Sequence, residues 1–149
     1  MAMAVVAAVL ALASCGGGDE ETVENLSKEE FVKQADQICG KTEKRQLVLV
    51  NKFEESKSGK ESQVSPAKAE EELVTFAGLP PVKQQLQELS QLPAPQSGGD
   101  QVDGYLQALS AGVAAVEKNP SLLLKLESDP FAKAITLAKQ VGFKVCSGA

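Results

Sequence analysis

Histidine is absent from the 149 residues of the chain, and its absence removes the catalytic chemistry that depends on an imidazole. Serine or cysteine nucleophiles activated by histidine, histidine-ligated zinc and the Glu-x-x-His di-iron site of helical bundles are all excluded. The densest acidic runs are Asp19–Glu21 and Glu70–Glu72, whose adjacent side chains cannot converge on one ion when helical. We therefore expect no catalytic residue, no metal site and no cofactor, and the protein is not predicted to be an enzyme.

Tryptophan is also absent, and arginine occurs once, at Arg45. A net charge of -5 with a single arginine does not supply the clustered positive charge that nucleic acids require, so no nucleic-acid partner is expected. One tyrosine and five phenylalanines leave the core to leucine, valine, isoleucine and alanine. This composition favours helices over sheets and predicts an all-α fold.

The first 14 residues have the features of a signal peptide. An uncharged apolar stretch of about ten residues ends at Leu12, whereas a transmembrane helix needs about 20. The small residues Ala13 and Ser14 follow, and with Cys15 they complete a Leu-Ala-Ser-Cys sequence that resembles the lipobox of bacterial lipoproteins. The resemblance implies that a signal peptidase recognises and removes residues 1–14 and that Cys15 is lipidated. Because no lysine or arginine supplies the basic start of a signal peptide, we also expect the translation start to lie upstream.

The chain after Cys15 changes abruptly to glycine and acidic residues. Such a sequence buries little apolar surface, and we expect residues 15–26 to form a flexible, solvated tether. Each acyl methylene in a bilayer contributes roughly 0.8 kcal/mol, so two or three chains such as palmitate on Cys15 would anchor the protein stably. The sequence therefore predicts a location on the outer face of the cell membrane, with the membrane itself as a partner.

Cys39 and Cys146 remain once Cys15 is assigned to the lipid. An even pair of cysteines outside the cytoplasm favours a disulfide, which would join the first helix to the C-terminus. A redox-active pair is the alternative, but Cys-x-x-Cys spacing is missing and the sequence sets no basic neighbour beside Cys39. We therefore predict a structural disulfide.

Capping signals and apolar periodicity over residues 27–149 predict one domain of four to five helices. The expected helix starts are Ser27 in a capping box with Glu30, Ser65-Pro66, Val82, Asp100, a short turn at Asn119-Pro120, and Asp129-Pro130. The expected breaks are a mobile turn at 56–63, Gly78 followed by Pro80-Pro81, Leu92–Pro95, and Gly142. These helices are expected to pack as a small up-and-down bundle with one kinked or split member.

The apolar face of each predicted helix defines the expected core. The inward positions are Phe31, Ala35, Ile38, Thr42, Leu49 and Phe53 in the first helix, then Leu73, Phe76, Leu86, Leu89, Val102, Leu106, Leu109, Val113, Val116, Phe131, Ile135 and Ala138. Tyr105 lies beside this face in the fourth segment. Phe143–Cys146 is expected to lie back against the first helix.

Two terminal motifs carry a family resemblance. Phe31, Ala35, Ile38 and Cys39 form the pattern F-x-x-x-A-x-x-I-C, and Gly142–Cys146 forms G-x-x-x-C. Together with Leu92–Pro95, Tyr105-Leu106 and Asp129–Phe131, these motifs resemble those of small actinobacterial lipoproteins and secreted proteins. The resemblance covers most of residues 27–147 and implies a shared helical fold and an extracytoplasmic location. Its motifs describe caps, core positions and a disulfide, so it assigns no activity to any residue.

Two classes of function stay open. The first is a non-enzymatic interaction or scaffold module of the cell envelope, in which a helical face contacts another envelope protein or a cell-wall polymer. The second is a carrier that holds a small apolar ligand between its helices, with Leu122–Leu126 and Pro80-Pro81 shaping the cleft. A leucine cluster is more often plain core, so the first class is preferred.

Overall fold

A computed structural model describes residues 25–58, 65–125 and 129–148, and these residues form a small all-α bundle of four helical rods. The elements are, in chain order, α1 (Lys28–Lys57), α2 (Pro66–Leu73), a π-helical turn (Val74–Gly78), α3 (Leu79–Ser90), α4 (Gly99–Lys118), a 3₁₀ turn (Pro120–Leu124) and α5 (Ala132–Val141). The second rod is the continuous run of α2, the π turn and α3. The predicted all-α fold, a small helical bundle, is therefore confirmed.

Contacts between the rods run in opposite sequence order, which makes successive rods antiparallel. The pairs are Arg45 with Glu88, Lys57 with Glu72, Lys83 with Glu117, Gln85 with Tyr105, Gly112 with Phe131 and Gly104 with Leu137. The bundle thus has two distinct ends. We call the one that contains Leu26 and the start of α1 the entry end, and the one that contains the end of α1, the π turn and the 3₁₀ turn the far end.

The first rod begins at the predicted capping box. The Ser27 hydroxyl accepts the Glu30 backbone N–H at 3.2 Å, and the Glu30 carboxylate accepts the Ser27 backbone N–H at 3.1 Å. The Ser27 hydroxyl also donates to the Glu30 carboxylate at 2.7 Å, and this bond, followed by that from the Ser27 backbone N–H, lowers the pKa of Glu30. The turn predicted at residues 56–63 starts later than expected, because Ser56 and Lys57 still belong to α1. Residues 59–64 lie outside the described residues.

The break predicted at Gly78 and Pro80-Pro81 is wrong, because the second rod is helical across these residues. The chain stays helical through this point because the π turn lets Leu79 donate to Val74 rather than to the carbonyl four residues back. The prolines then lie in the first turn of α3, where a missing N–H is tolerated. The third helix therefore starts at Leu79 and not at Val82.

The π turn also explains why Phe76 is not an inward residue. One extra residue in a turn shifts the helix face by about 100°. Val74 and Ala77 are buried in its place, while Phe76 is 47% exposed and its ring lies 5.9 Å from that of Phe53. The prediction that Phe76 points into the core is wrong.

The starts of α4 and α5 differ in detail from the predicted caps. Gly98 and not Asp100 caps α4, with a φ of 79° that favours glycine. Asp100 lies in the first turn, where its negative charge complements the helix dipole. Asp129 accepts the Phe131 backbone N–H at 2.8 Å as a cap would, and α5 follows from Ala132. Gly142 ends α5 with a φ of 103°, as predicted.

The core confirms most of the predicted inward positions. Those that are buried are Phe31, Ala35, Ile38, Thr42, Leu89, Val102, Tyr105, Leu109, Val113, Val116 and Ala138. Those that are half-buried are Leu49, Phe53, Leu73, Leu86, Leu106, Phe131 and Ile135. Phe143 is buried with its ring 6.2 Å from Phe31 and 5.1 Å from Tyr105, so the C-terminal segment does lie against the first helix.

The described chain enters the bundle before the first helix. Gln96 donates its backbone N–H to the Leu26 carbonyl at 2.8 Å and its side-chain amide to the Asn25 carbonyl at 3.0 Å. The Leu26 side chain also packs against the core. Asn25 and Leu26, which the sequence places in the tether, are therefore attached to the domain.

Candidate functional site

A partly open cavity of about 290 Å³ lies inside the bundle between α1 and α5. Successive rods pack on one another, whereas the first and last rods are bridged by the segment after Gly142, through the disulfide between Cys39 and Cys146. All four rods contribute lining residues. Glu43 and Gly148 are lining residues that are exposed, so the cavity opens to solvent beside them. This gap between non-adjacent rods is the space that a small ligand would need.

The cavity has apolar walls and one polar pair. Val82, Leu109 and Ile135 supply aliphatic surface from three different rods. Gln85 and Tyr105 supply the polar pair, with only 8% and 2% of their surfaces exposed. The Gln85 side-chain amide donates to the Tyr105 hydroxyl at 3.4 Å, a long and therefore weak hydrogen bond. Such a wall can hold an apolar body and orient one polar group.

Burial changes the acid–base behaviour of Tyr105. Desolvation is the largest cause and raises the pKa of Tyr105 to about 12; the Asp36 carboxylate acts in the same direction, and the Gln85 hydrogen bond opposes it. The phenol is therefore neutral at physiological pH and can both donate and accept a hydrogen bond.

We expect the folded protein to lose stability as the pH rises from about 10 to about 12. A tyrosine in the unfolded chain ionises near pH 10, whereas the buried phenol holds its proton until about pH 12. The unfolded state therefore releases its proton first, and unfolding becomes more favourable across this window. The chain has one tyrosine and no tryptophan, so phenolate absorbance follows this group alone.

The matched control for this titration is Tyr105→Phe, which keeps the ring and removes the ionisable group. Denaturant unfolding of this variant is expected to depend less steeply on pH above 10 than that of the parent protein. A phenolate midpoint near pH 10 in the folded protein would contradict the assigned burial of Tyr105.

The disulfide and one carboxylate hold the C-terminal turn beside the cavity. Cys39 and Cys146 are bonded as predicted, with their Cα atoms 5.2 Å apart. Asp36, one turn earlier on α1, accepts backbone N–H groups of Lys144, Val145 and Cys146 at 3.0, 2.9 and 3.2 Å. The turn is thus fixed by a covalent bond and three charge-assisted hydrogen bonds. Sequence reasoning found the disulfide and missed Asp36.

The far end of the bundle carries an exposed apolar surface. Leu47, Val48, Phe76, Leu123 and Leu124 are large apolar residues that are each at least 36% exposed, and Leu47 reaches 62%. We call these five residues the far-end surface. The Phe76 ring lies 5.9 Å from that of Phe53 in α1, and a Cβ on Gly78 would lie 3.9 Å from the Leu123 side chain. A shallow groove of about 430 Å³ separates Val48 from the proline pair of α3.

Within the described residues, three ion pairs join neighbouring rods of the bundle. Lys57 lies 2.7 Å from Glu72 and 5.1 Å above the Phe53 ring. The hydrogen bond from Lys57 is the main reason that the pKa of Glu72 is lowered. Lys83 and Glu117 form a second exposed pair at 2.6 Å. The third pair lies farther along the bundle, where Arg45 Nη1 is 2.9 Å from Glu88 Oε1. The geometry of this ion pair does not meet the angles of a hydrogen bond.

The cleft that the sequence suggests for a carrier, between Pro80-Pro81 and Leu122–Leu126, lies partly outside the described residues. Pro80 and Pro81 line the shallow groove beside Val48, whereas Leu123 and Leu124 project outward from the 3₁₀ turn. Leu126 lies outside the described residues. The cavity at Tyr105 is lined by other residues than the groove beside the prolines.

The predicted signal-peptidase residues Leu12, Ala13 and Ser14, the lipidation site Cys15 and the tether up to residue 24 lie outside the described residues. Across the part of the chain that the structure does describe, no helix combines the length and the apolar character needed to cross a bilayer. No group of three or more cysteine, aspartate or glutamate side chains is arranged to hold a metal ion in that same part.

Comparisons with protein-family models, with curated proteins and with solved structures found no match to this chain.

Proposed function

We propose that the protein is a lipoprotein anchored through Cys15 to the outer face of the cell membrane, and that its helical domain is a non-enzymatic interaction module for another envelope protein. The observation that carries this proposal is the position of the far-end surface, opposite the end where the described chain enters. A domain anchored through its entry end carries these exposed apolar residues at the end farther from the anchor, where a partner can reach them.

The length of the first rod gives the scale of this arrangement. α1 has 30 residues, and a helix of that length is about 45 Å long. The Leu47 side chain lies about 30 Å along α1 from the entry end at 1.5 Å per residue. The predicted tether adds further reach, because an extended chain spans up to about 3.5 Å per residue. The far-end surface would therefore act at a distance from the lipid and not within it.

The chemistry of the far-end surface favours a protein partner over a membrane or a polysaccharide. Aliphatic and phenylalanine side chains, with the exposed pair of Lys57 and Glu72 close by, match the apolar centre and polar rim of protein interfaces. The net charge of -5 offers no attraction to anionic lipid headgroups. A cell-wall polymer would be recognised by hydrogen-bonding groups, which this surface has only at its edge.

Site-specific photo-crosslinking in intact cells tests the proposal. We expect a benzophenone amino acid at Phe76 to give a discrete protein adduct, because Phe76 is exposed within the far-end surface. The matched control is the same amino acid at Gln37, an exposed residue of α1 near the entry end, which is expected to give little adduct. Mass spectrometry of the adduct identifies the partner.

Two results would overturn separate parts of the proposal. Equal adduct yields at Phe76 and Gln37, or none at Phe76, would remove the far-end surface as the contact site. A Cys15→Ser variant is expected to leave the membrane fraction. If that variant stays in the membrane pellet, lipidation at Cys15 is not the anchor.

A further inference from the structure

We propose that the cavity between α1 and α5 binds a small neutral molecule that has an apolar body and one hydroxyl group, and that Gln85 and Tyr105 hold this hydroxyl. The proposal concerns a different part of the bundle from the far-end surface and does not depend on it. The proposed function is again that of a carrier for a small ligand, but the binding site is not the one that the sequence suggested.

The size of the cavity limits the ligand. Its volume of about 290 Å³ is that of about ten water molecules in the liquid. A single ring with a few substituent atoms fits within this space.

The polar pair defines the functional group of the ligand. Within the described residues, the Gln85 side-chain oxygen accepts no hydrogen bond and the Tyr105 hydroxyl donates its proton to no group. An acceptor and a donor are thus left unused on two side chains that are each more than nine-tenths buried. Both atoms line the partly open cavity, where water can reach them, so a ligand group that hydrogen-bonds to both would replace that water. A hydroxyl group does so, because it accepts from tyrosine and donates to the glutamine carbonyl.

The charges around the cavity favour a neutral ligand. No lysine or arginine is among its described lining residues, and the carboxylate of Glu43 lies at its mouth. An anion would therefore meet a negative charge and no positive one. A cation would lose its hydration inside without a buried charge to replace it.

Phenol and toluene are a matched pair of probes, because the hydroxyl of one replaces the methyl of the other. The protein is the full chain carrying Cys15→Ser, which removes the lipidation site so that no detergent competes for the probes. We expect saturable phenol binding, seen by NMR as shifts at Gln85, Tyr105 and Ala134. Tyr105→Phe is expected to weaken phenol binding about 3- to 10-fold, the worth of one net hydrogen bond, and to change toluene binding less than about twofold.

Val48→Thr is the control variant, since it changes the shallow groove with little change of volume and leaves the cavity intact. It is expected to leave phenol binding unchanged. The proposal is overturned if phenol causes no saturable shift up to about 10 mM, a concentration at which even weak binding is detectable. It is equally overturned if the shifts cluster at Val48 and Pro80, or if Tyr105→Phe weakens phenol and toluene alike.

Discussion

Replacing Cys39 and Cys146 together by serine is expected to lower the free energy of unfolding by about 4 to 5 kcal/mol. The disulfide joins residues 107 positions apart, and the chain-entropy model gives about 4.7 kcal/mol for closing a loop of roughly 100 residues. Domains of this size are typically stable by about 5 to 15 kcal/mol, so the loss is a large share of the total. Urea unfolding of the oxidised protein and of the double variant measures the difference.

The folded structure of the double variant is expected to survive, because Asp36 still binds the backbone of the C-terminal turn. The disulfide acts mainly on the unfolded chain, so NMR spectra of the folded variant should match the parent away from the two cysteines. Reduction of the parent protein with dithiothreitol serves as the control and should cause the same loss. A double variant within about 1 kcal/mol of the parent would show that the loop constraint contributes little.

The sequence was sufficient to predict features that depend on residues close together in the chain, on the helical period, or on the number of cysteines. The capping box of Ser27 and Glu30 spans three residues and forms as predicted. The helical period places most inward residues correctly because each rod has one apolar face. The pairing of Cys39 with Cys146 followed from assigning the third cysteine to the lipid, and the structure confirms the pair.

The Asp36 contacts were beyond sequence reasoning. Its partners lie 108 to 110 residues away in the chain. Nothing local distinguishes this aspartate from other solvated acids, since its role depends on where α5 delivers the C-terminal turn. A distant carboxylate that caps a turn is visible only once the bundle is assembled.

The second rod was mispredicted because two local rules gave the same wrong answer. Gly78 and the proline pair both indicate a helix end. A π turn satisfies the backbone differently, since Leu79 donates to Val74 and Gln46 from α1 donates to the Gly78 carbonyl at 3.2 Å. Support from the neighbouring rod thus keeps the helix continuous. The same change of phase turns Phe76 outward, which creates part of the far-end surface.

The cavity could not be predicted because it lies between the first and last rods, which are not neighbours in the chain. One signal was present and was not used. Gln85 lies three residues after Val82 and four before Leu89, so it occupies an inward position of α3. A glutamine at such a position needs a buried partner. Tyr105 was placed beside the apolar face of α4 and is in fact buried within the core.

Gly112→Ala is expected to lower the free energy of unfolding by about 2 to 3 kcal/mol, although alanine is the better helix former. A Cβ at this position would lie 2.5 and 2.6 Å from carbons of the Phe131 ring and 2.9 Å from the Pro130 carbonyl oxygen. The backbone oxygen cannot turn aside as a flexible side chain can, so α4 and the start of α5 must separate. Overpacking a closely packed site typically costs about 1 to 3 kcal/mol.

Gly104→Ala on the same helix is the matched control and should have the opposite sign. A Cβ there meets the Leu137 side chain at 4.0 Å, an ordinary van der Waals distance. Alanine is favoured over glycine inside a helix by up to about 1 kcal/mol, so this variant is expected to be more stable than the parent. Urea unfolding of both variants separates packing from propensity, because propensity alone predicts that both substitutions stabilise. A stabilising Gly112→Ala would show that α4 and Phe131 are not in close contact at this point. Because Phe131 also lines the cavity, that result would contradict the position of this part of the cavity wall.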